Sequence, residues 1–326
     1  MPQPYFLIVL GPPASGKGSL PEKVKQYLNL DSKPAVKVLI DDLVENSPYY
    51  KKKFNEWIQD KTEKQIQREF RRPSKKTLNE FNDMYFTARK FTNCKTGASI
   101  KEKPKSNGTP VKGTCDYINN KKLENAIKYK KNVIFETKGE YFPQWLFDIY
   151  DLSMYHVINA WSVVDLCKLL DRNKSRARQH VSNYLNNTII SDKLPPRLPN
   201  LKLSVYASGL RKTIETFKTT LKKKNILCGV DIDGTKCNEM RLLVFNNNSL
   251  KPSLEPVYDS KKGNLKNINV EELRGLKAIK PYNVHKKCTK KIKSKKSNKT
   301  KKSNKKSNKT KKSNKKSNKT KKSNKK

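Results

Sequence analysis

Short apolar runs punctuate this chain, and polar segments with helical spacing separate them. Residues 5–10, Y-F-L-I-V-L, are six apolar positions in a row, the length of a buried strand. Helical spacing then runs from 20 to 30, with Pro21 in the first turn, where a missing N–H is tolerated, and Pro34 beyond the end. Residues 35–42, A-V-K-V-L-I-D-D, predict a second strand that ends in two carboxylates. Between 51 and 91 apolar residues recur at helical intervals (Phe54, Trp57, Ile58; Ile66, Phe70; Leu78, Phe81, Tyr85), which predicts two helices broken at Pro73. Residues 93–114 are rich in Gly, Lys, Ser and Pro and predict a loop. A helix over 119–129, a third strand over 132–137 (N-V-I-F-E-T) and a short helix from Pro143 follow. A fourth strand within 153–163, a long helix over 164–185 and another over 203–224 complete the series.

Strands alternating with helices predict an α/β fold: a parallel sheet with helices on both faces, a three-layer sandwich. From residue 225 the pattern changes. I-L-C-G-V-D-I-D, the turn G-T-K-C-N-E and M-R-L-L-V-F read as a hairpin that adds antiparallel strands at the sheet edge, with weak order after 246. The expected organisation is a domain over 1–224 with a helical insert at about 55–120, a hairpin and extension over 225–285, and a tail over 286–326. The tail repeats K-K-S-N-K-K-S-N-K-T and holds no residues that build a core, so it is expected to be disordered.

The first apolar run leads into Gly11-Pro12-Pro13-Ala14-Ser15-Gly16-Lys17-Gly18-Ser19. Strand, G-x-x-x-x-G-K and helix, in that order, is the context of a phosphate-binding loop. Backbone N–H groups of residues 13–17, less the one Pro13 lacks, would wrap a β-phosphate, and the helix N-terminus adds its positive dipole end. Lys17 would reach β- and γ-phosphates. A hydroxyl from Ser19 or Ser15 would face Mg²⁺. ATP and Mg²⁺ are the expected cofactors. Ligands of parallel sheets sit beyond the carboxyl ends of the strands, so Asp41, Asp42 and Glu136 are expected in the same crevice as Lys17.

Charge adds a second theme. Lys+Arg number 73 against 29 Asp+Glu, a formal net charge of +44, and residues 286–326 alone hold 22 lysines and no acid. Both the tail and the body should attract polyanions, the tail without sequence preference. The six cysteines form no CxxC pair. They read as free intracellular thiols; Cys94 and Cys115 flank one loop and could clip it, though nothing in the sequence requires that. The N-terminal apolar run lacks a basic leader and cleavage site, and no run approaches the length of a membrane span. An intracellular protein, cytoplasmic or nuclear, with no membrane partner is the expectation.

G-P-P-A-S-G-K-G-S, with Gly18 where a Ser or Thr normally follows the lysine, resembles the loop of adenylate-kinase-type kinases. Together with V-L-I-D-D followed by N-S-P-Y-Y, and with V-I-F-E-T, it resembles the zeta-toxin-like family of P-loop kinases. That resemblance implies ATP-dependent phosphorylation of a hydroxyl acceptor. By match, Asp41 inherits the role of general base, with Pro48 and Tyr50 at the family's spacing and Asp42 as the adjacent alternative. Glu136 and Thr137 match the acceptor-binding E-T. Arg172, Arg176 and Arg178 resemble the basic helix over the phosphates, the first two as lid cations and Arg178 toward the substrate. An arginine expected three residues after the aspartate is Val44 here.

The acceptor class expected is a small molecule, a nucleotide sugar or nucleoside. The alternative is a polynucleotide 5′-hydroxyl kinase, or a P-loop protein that binds nucleic acid without kinase activity. Asp231-Ile-Asp233-Gly-Thr235 resembles the first motif of haloacid-dehalogenase-type phosphatases, but too little chain follows for that domain, and a hairpin turn fits better. His156, His180 and His285 have no metal-ligand spacing.

Overall fold

In a computed structural model the protein is described over residues 3–30, 33–102, 109–137, 143, 145–186, 195, 198, 240–248 and 254–262. The helix expected at 203–224, the Asp231–Asp233 motif and the lysine tail lie outside these residues.

The first apolar run is β1 (Tyr5–Leu10), with every residue buried. Parallel neighbours flank it on both sides, β3 (Val133–Thr137) and β4 (His156–Val163). That is why it reads as an unbroken apolar run and not as an alternation. The sheet order is β2-β3-β1-β4-β5-β6, where β2 is Val36–Val38, β5 is Arg241–Asn246 and β6 is Tyr258–Asp259. The first five strands run parallel and β6 is antiparallel. The expected fold class is therefore present. The segment M-R-L-L-V-F, expected as an antiparallel strand, runs parallel beside β4; β6 pairs antiparallel with it at the edge, and the other arm of the expected hairpin, I-L-C-G-V-D-I-D, lies outside the described residues. The chain leaves β1 toward β2 and leaves β4 toward β5, so a topological switch point falls between β1 and β4.

Helix α1 (Leu20–Leu28) packs Leu20 and Val24 on the face that carries Tyr5, Leu7 and Val9. The opposite face packs Phe6 edge-on against Tyr155, whose hydroxyl donates to the carbonyl of Ala126 in α6 (Cys115–Lys128). Helices thus cover both faces.

Four more helices precede α6: α2 (Ile40–Asn46), α3 (Pro48–Gln59), α4 (Glu63–Arg71) and α5 (Lys75–Lys90). Pro73 separates α4 from α5 as expected, but a second break falls before Thr62, which starts α4 with a reciprocal capping box to Gln65. Side-chain hydroxyls of Ser47, Ser74 and Thr114 cap α3, α5 and α6. These helices enclose a second core in which Phe54, Trp57, Phe70 and Phe81 meet edge to face. A short α7 (Trp145–Ile149) leads into β4, and α8 (Leu166–Leu185) follows it. Its Ala177 and Val181 enter the helical core, so α8 ties that core to the sheet.

Cysteine use differs from the expectation. Cys94 is disulfide-bonded to Cys115, and Cys167 is disulfide-bonded as well. The N–H of Cys94 donates to the Gly113 carbonyl, which brings the exit of α5 beside the first residue of α6. The thiol-based argument for a reducing compartment therefore lapses. Among the described residues no helix is long and apolar enough to cross a membrane.

The added edge is locked by charge. Asp259 of β6 accepts from Arg241 of β5 at 2.7 and 3.0 Å and from the Tyr27 hydroxyl of α1 at 2.9 Å. Burial pushes the Asp259 carboxyl up, but hydrogen bonds from Arg241, the Lys261 N–H and Tyr27 outweigh it and hold its pKa below the ordinary value. A depressed carboxyl contributes stability above its unfolded pKa and loses it as pH falls through the folded one. Asp259→Asn should cost about 2 kcal/mol in urea unfolding at neutral pH, and the gap to wild type should narrow once pH drops below about 3.9.

Candidate active site

The face of the sheet that α1 covers carries Val9, Ile134, Ala160 and Phe245. Strand side chains alternate, so two residues further along each strand the same face delivers Gly11, Glu136, Ser162 and Asn247. All four meet at the loop between β1 and α1.

Gly11 (φ +152°), Ala14 (φ +62°) and Gly16 (φ +89°) take left-handed conformations among ordinary residues, the backbone form that builds an anion-binding concavity. The Ser15 N–H donates to the Pro12 carbonyl at 3.1 Å, and Lys17–Ser19 form one 3₁₀ turn into α1. A Cβ on Gly11 would stand 2.6 Å from Ser15 Oγ and 2.9 Å from the Ser162 carbonyl. On Gly18 it would meet nothing within 4 Å. Glycine is thus required at 11 and not at 18.

The loop is fastened from behind. The Ser15 carbonyl accepts from Ser162 Oγ at 2.7 Å and from Asn247 Nδ2 at 3.1 Å. Lys23 Nζ donates to Asn247 Oδ1 at 2.9 Å. An ammonium can only donate, so Lys23 fixes which end of the carboxamide faces the loop. Burial lowers the Lys23 pKa. Arg172 of α8 donates to the Asn247 carbonyl at 2.7 Å, and Lys168 donates to the Asn248 carbonyl at 2.7 Å. Ser15 Oγ itself is buried with no hydrogen-bond partner among the described residues.

Lys17 is nearly buried. Its ammonium lies 3.1 Å from Glu136 Oε1 and donates to the Thr137 carbonyl at 3.2 Å. Glu136, expected in the same crevice as Lys17, lies beside it; Thr137, expected toward an acceptor, meets Lys17 through its backbone carbonyl.

Asp41 and Asp42 depart from the expected placement. β2 stops at Val38, and both carboxylates sit in the first turn of α2. As an edge strand β2 pairs with β3 over only three residues, and two acids favour a helix N-terminus. Val38 pairs with Phe135, so the α2 start still lies at the carboxyl edge that carries Glu136. The two differ in surroundings. Asp41 is half-buried and accepts a hydrogen bond from the Tyr85 hydroxyl of α5, while Asp42 is exposed. Val44 is fully buried in the helical core. Asp41 and Arg89 of α5 act on each other through their charges, and Arg89 is itself paired with Asp116 at 2.6 Å.

Of the expected basic helix, Arg172 reaches the loop's supports through the Asn247 carbonyl. Arg176 and Arg178 are exposed, and Arg178 donates to Lys174 O and Ser175 Oγ of its own helix. Ser19 Oγ turns back to donate to the Gly16 carbonyl at 2.9 Å. Among the described residues no group of three or more His, Cys, Asp or Glu could hold a metal ion.

Sequence reasoning missed Lys23, Tyr85, Ser162 and Asn247. Ser162 was reachable in principle, since it lies two residues past a core position of an apolar run.

No family model matches the chain. No curated protein matches it either. Among matching solved structures is one described as "Molecular and structural characterization of the PezAT chromosomal toxin-antitoxin system of the human pathogen Streptococcus pneumoniae". It is 10% identical, with a TM-score of 0.45 over 84% of this chain and 77% of that one. A likeness at that score is too slight to bear on function.

Gly11→Ala should lower the melting temperature by about 5 °C through the clash with Ser15 and Ser162. Gly18→Ala should melt as wild type. Thermal denaturation of the two variants side by side checks the loop geometry, and equal melting would contradict it.

Proposed function

We propose that this chain is an ATP-dependent phosphotransferase that moves the γ-phosphoryl group to a hydroxyl of a small molecule, a nucleotide sugar or nucleoside. The observation that carries the reading is the Lys17 ammonium, held against Glu136 and Thr137 at the mouth of a left-handed glycine loop. A nearly buried ammonium beside a carboxylate is suited to exchange that partner for a polyphosphate. The loop also fits the cofactor on its own terms. The buried Ser15 hydroxyl lacks a partner among the described residues, and Cβ-free positions leave its backbone able to approach a phosphate closely.

In this reading the acceptor oxygen forms a bond to the γ-phosphorus as the bond from that phosphorus to the β,γ-bridging oxygen breaks, and ADP leaves. The hydroxyl proton passes to the Asp41 carboxylate, which the Tyr85 hydroxyl holds in orientation through Oδ1. Lys17 and the loop N–H groups balance charge on the phosphates. Glu136 exchanges Lys17 for the acceptor's hydroxyl groups. Ser19 and Ser15 are the loop hydroxyls that would hold Mg²⁺, whose chemistry there would be further neutralisation of phosphate charge. Arg172 acts through Asn247, holding the loop.

Labelled ATP with a panel of nucleotide sugars, nucleosides and 5′-hydroxyl oligonucleotides tests the reading and identifies the acceptor. Lys17→Ala should weaken ATP binding on the order of 10²-fold, the loss of charge-assisted hydrogen bonds. Asp41→Asn should remove transfer with nucleotide binding kept. Glu136→Gln takes the competing anion from Lys17, so ATP should bind a few-fold tighter while the acceptor KM rises. Acceptor phosphorylation that survives both Lys17→Ala and Asp41→Asn would refute the site.

A further inference from the structure

Helices α4 and α8 lie against each other, with Ile66 and Phe70 of one and Ala177 and Val181 of the other in the same core. Burial of those faces leaves Lys64, Arg68 and Arg71 of α4, Arg72 just after it, and Arg176 and Arg178 of α8 exposed. Lys64, Arg68 and then Arg71–Arg72 climb α4 one turn at a time, about 5–6 Å apart. The acids nearby are engaged elsewhere. Glu63 accepts from Gln67, and Glu69 accepts from the Ser74 N–H and Thr77 Oγ1. Helix α8 contains one acid, Asp171, more than a turn before Arg176. Among the described residues none of these six cations has a carboxylate within 4.0 Å, whereas Lys25, Lys53, Arg89, Lys121 and Arg241 all do. Like charges stacked one turn apart cost a helix stability. An uncompensated stripe of this kind is suited to an anion that is itself extended.

We propose that the exposed cations of α4 and α8 form a binding surface for the phosphate backbone of a nucleic acid. Five of the six are arginines, whose planar fork pairs with phosphate through two parallel hydrogen bonds. An anionic membrane is the competing polyanion, but membrane-surface helices insert large apolar side chains beside their cations. The exposed large hydrophobic residues of the described chain (Phe86, Tyr129, Trp145, Ile149, Met154, Leu254 and Val257) include none on α4 or α8. The surface reads backbone charge, so its binding is steeply salt-dependent and indifferent to base sequence.

The experiment measures anisotropy of a labelled single-stranded RNA of about 30 nucleotides with the full-length chain over a series of salt concentrations. Arg68→Glu/Arg71→Glu/Arg72→Glu is compared with wild type and with Lys121→Glu/Lys122→Glu/Lys128→Glu, an equal charge change on the exposed side of α6. The α4 variant should bind about tenfold more weakly at physiological salt, with a salt slope reduced by about 2, roughly 0.7 for each phosphate that is no longer neutralised. The α6 variant should stay close to wild type. Melting curves accompany each protein, and if the α4 variant melts early, the corresponding Arg→Gln variant is read in its place. An α4 variant that binds as wild type overturns the proposal. Equal losses in the α4 and α6 variants also overturn it, because net charge alone then accounts for binding. Loss of affinity for phosphatidylserine vesicles with RNA binding intact assigns the surface to membranes and overturns it too.

Discussion

The carboxamide of Asn247 joins three things that the chain makes far apart: the loop after β1, the end of β4 and the end of β5. A glycine-containing loop has many conformations open to it, and it can receive an anion without a large ordering cost only if something else holds it. Here the hold is a pair of hydrogen bonds onto one carbonyl, that of Ser15, from Ser162 and Asn247. Both donors are buried, so breaking either bond leaves an unsatisfied polar group in the interior. Lys23 fixes the orientation of the carboxamide, and Arg172 anchors its backbone. The loop's own turns use the Ser15 and Ser19 N–H groups, which donate to the Pro12 and Gly16 carbonyls.

A division of labour between two cores results. The sheet core positions the loop, Lys17 and Glu136. The helical core positions Asp41, through Tyr85, and fills the place of Val44 with an apolar side chain. Helix α8 belongs to both: its N-terminal half is fastened to the segment after β5 and its C-terminal half packs on α4. Through α8 the helical core is thus in physical contact with the supports of the loop after β1.

The parts of this arrangement that were legible in the sequence are those encoded locally. β1, the loop, β3, β4 and α8 each carry their own periodicity, whereas the helix starts capped by Ser47, Thr62 and Thr114 were not placed by periodicity, because the cap chemistry stands outside it. The second strand was misjudged because V-L-I-D-D satisfies the rule for a strand end and for a helix start alike. Only the three-residue pairing of β2 with β3 decides between them. Asn247 was illegible for a different reason. It stands in a run of three asparagines, Asn246-Asn247-Asn248, and nothing local separates the one that points inward from its neighbours. Its role depends on β5 lying parallel to β4, a pairing across some eighty residues. The disulfide between Cys94 and Cys115 was open to the sequence as a clip on one loop, and the helical core that brings α5 and α6 together decides it.

The most direct measurement of the central claim is amide hydrogen exchange across Ala14–Ser19 in the full-length chain, with and without Mg·ATP. A held loop that presents its N–H groups to a polyphosphate predicts marked slowing of these amides on nucleotide addition, and no slowing when adenosine replaces ATP. Exchange in this segment that is unchanged by Mg·ATP would contradict the account, even if nucleotide binds elsewhere on so cationic a chain.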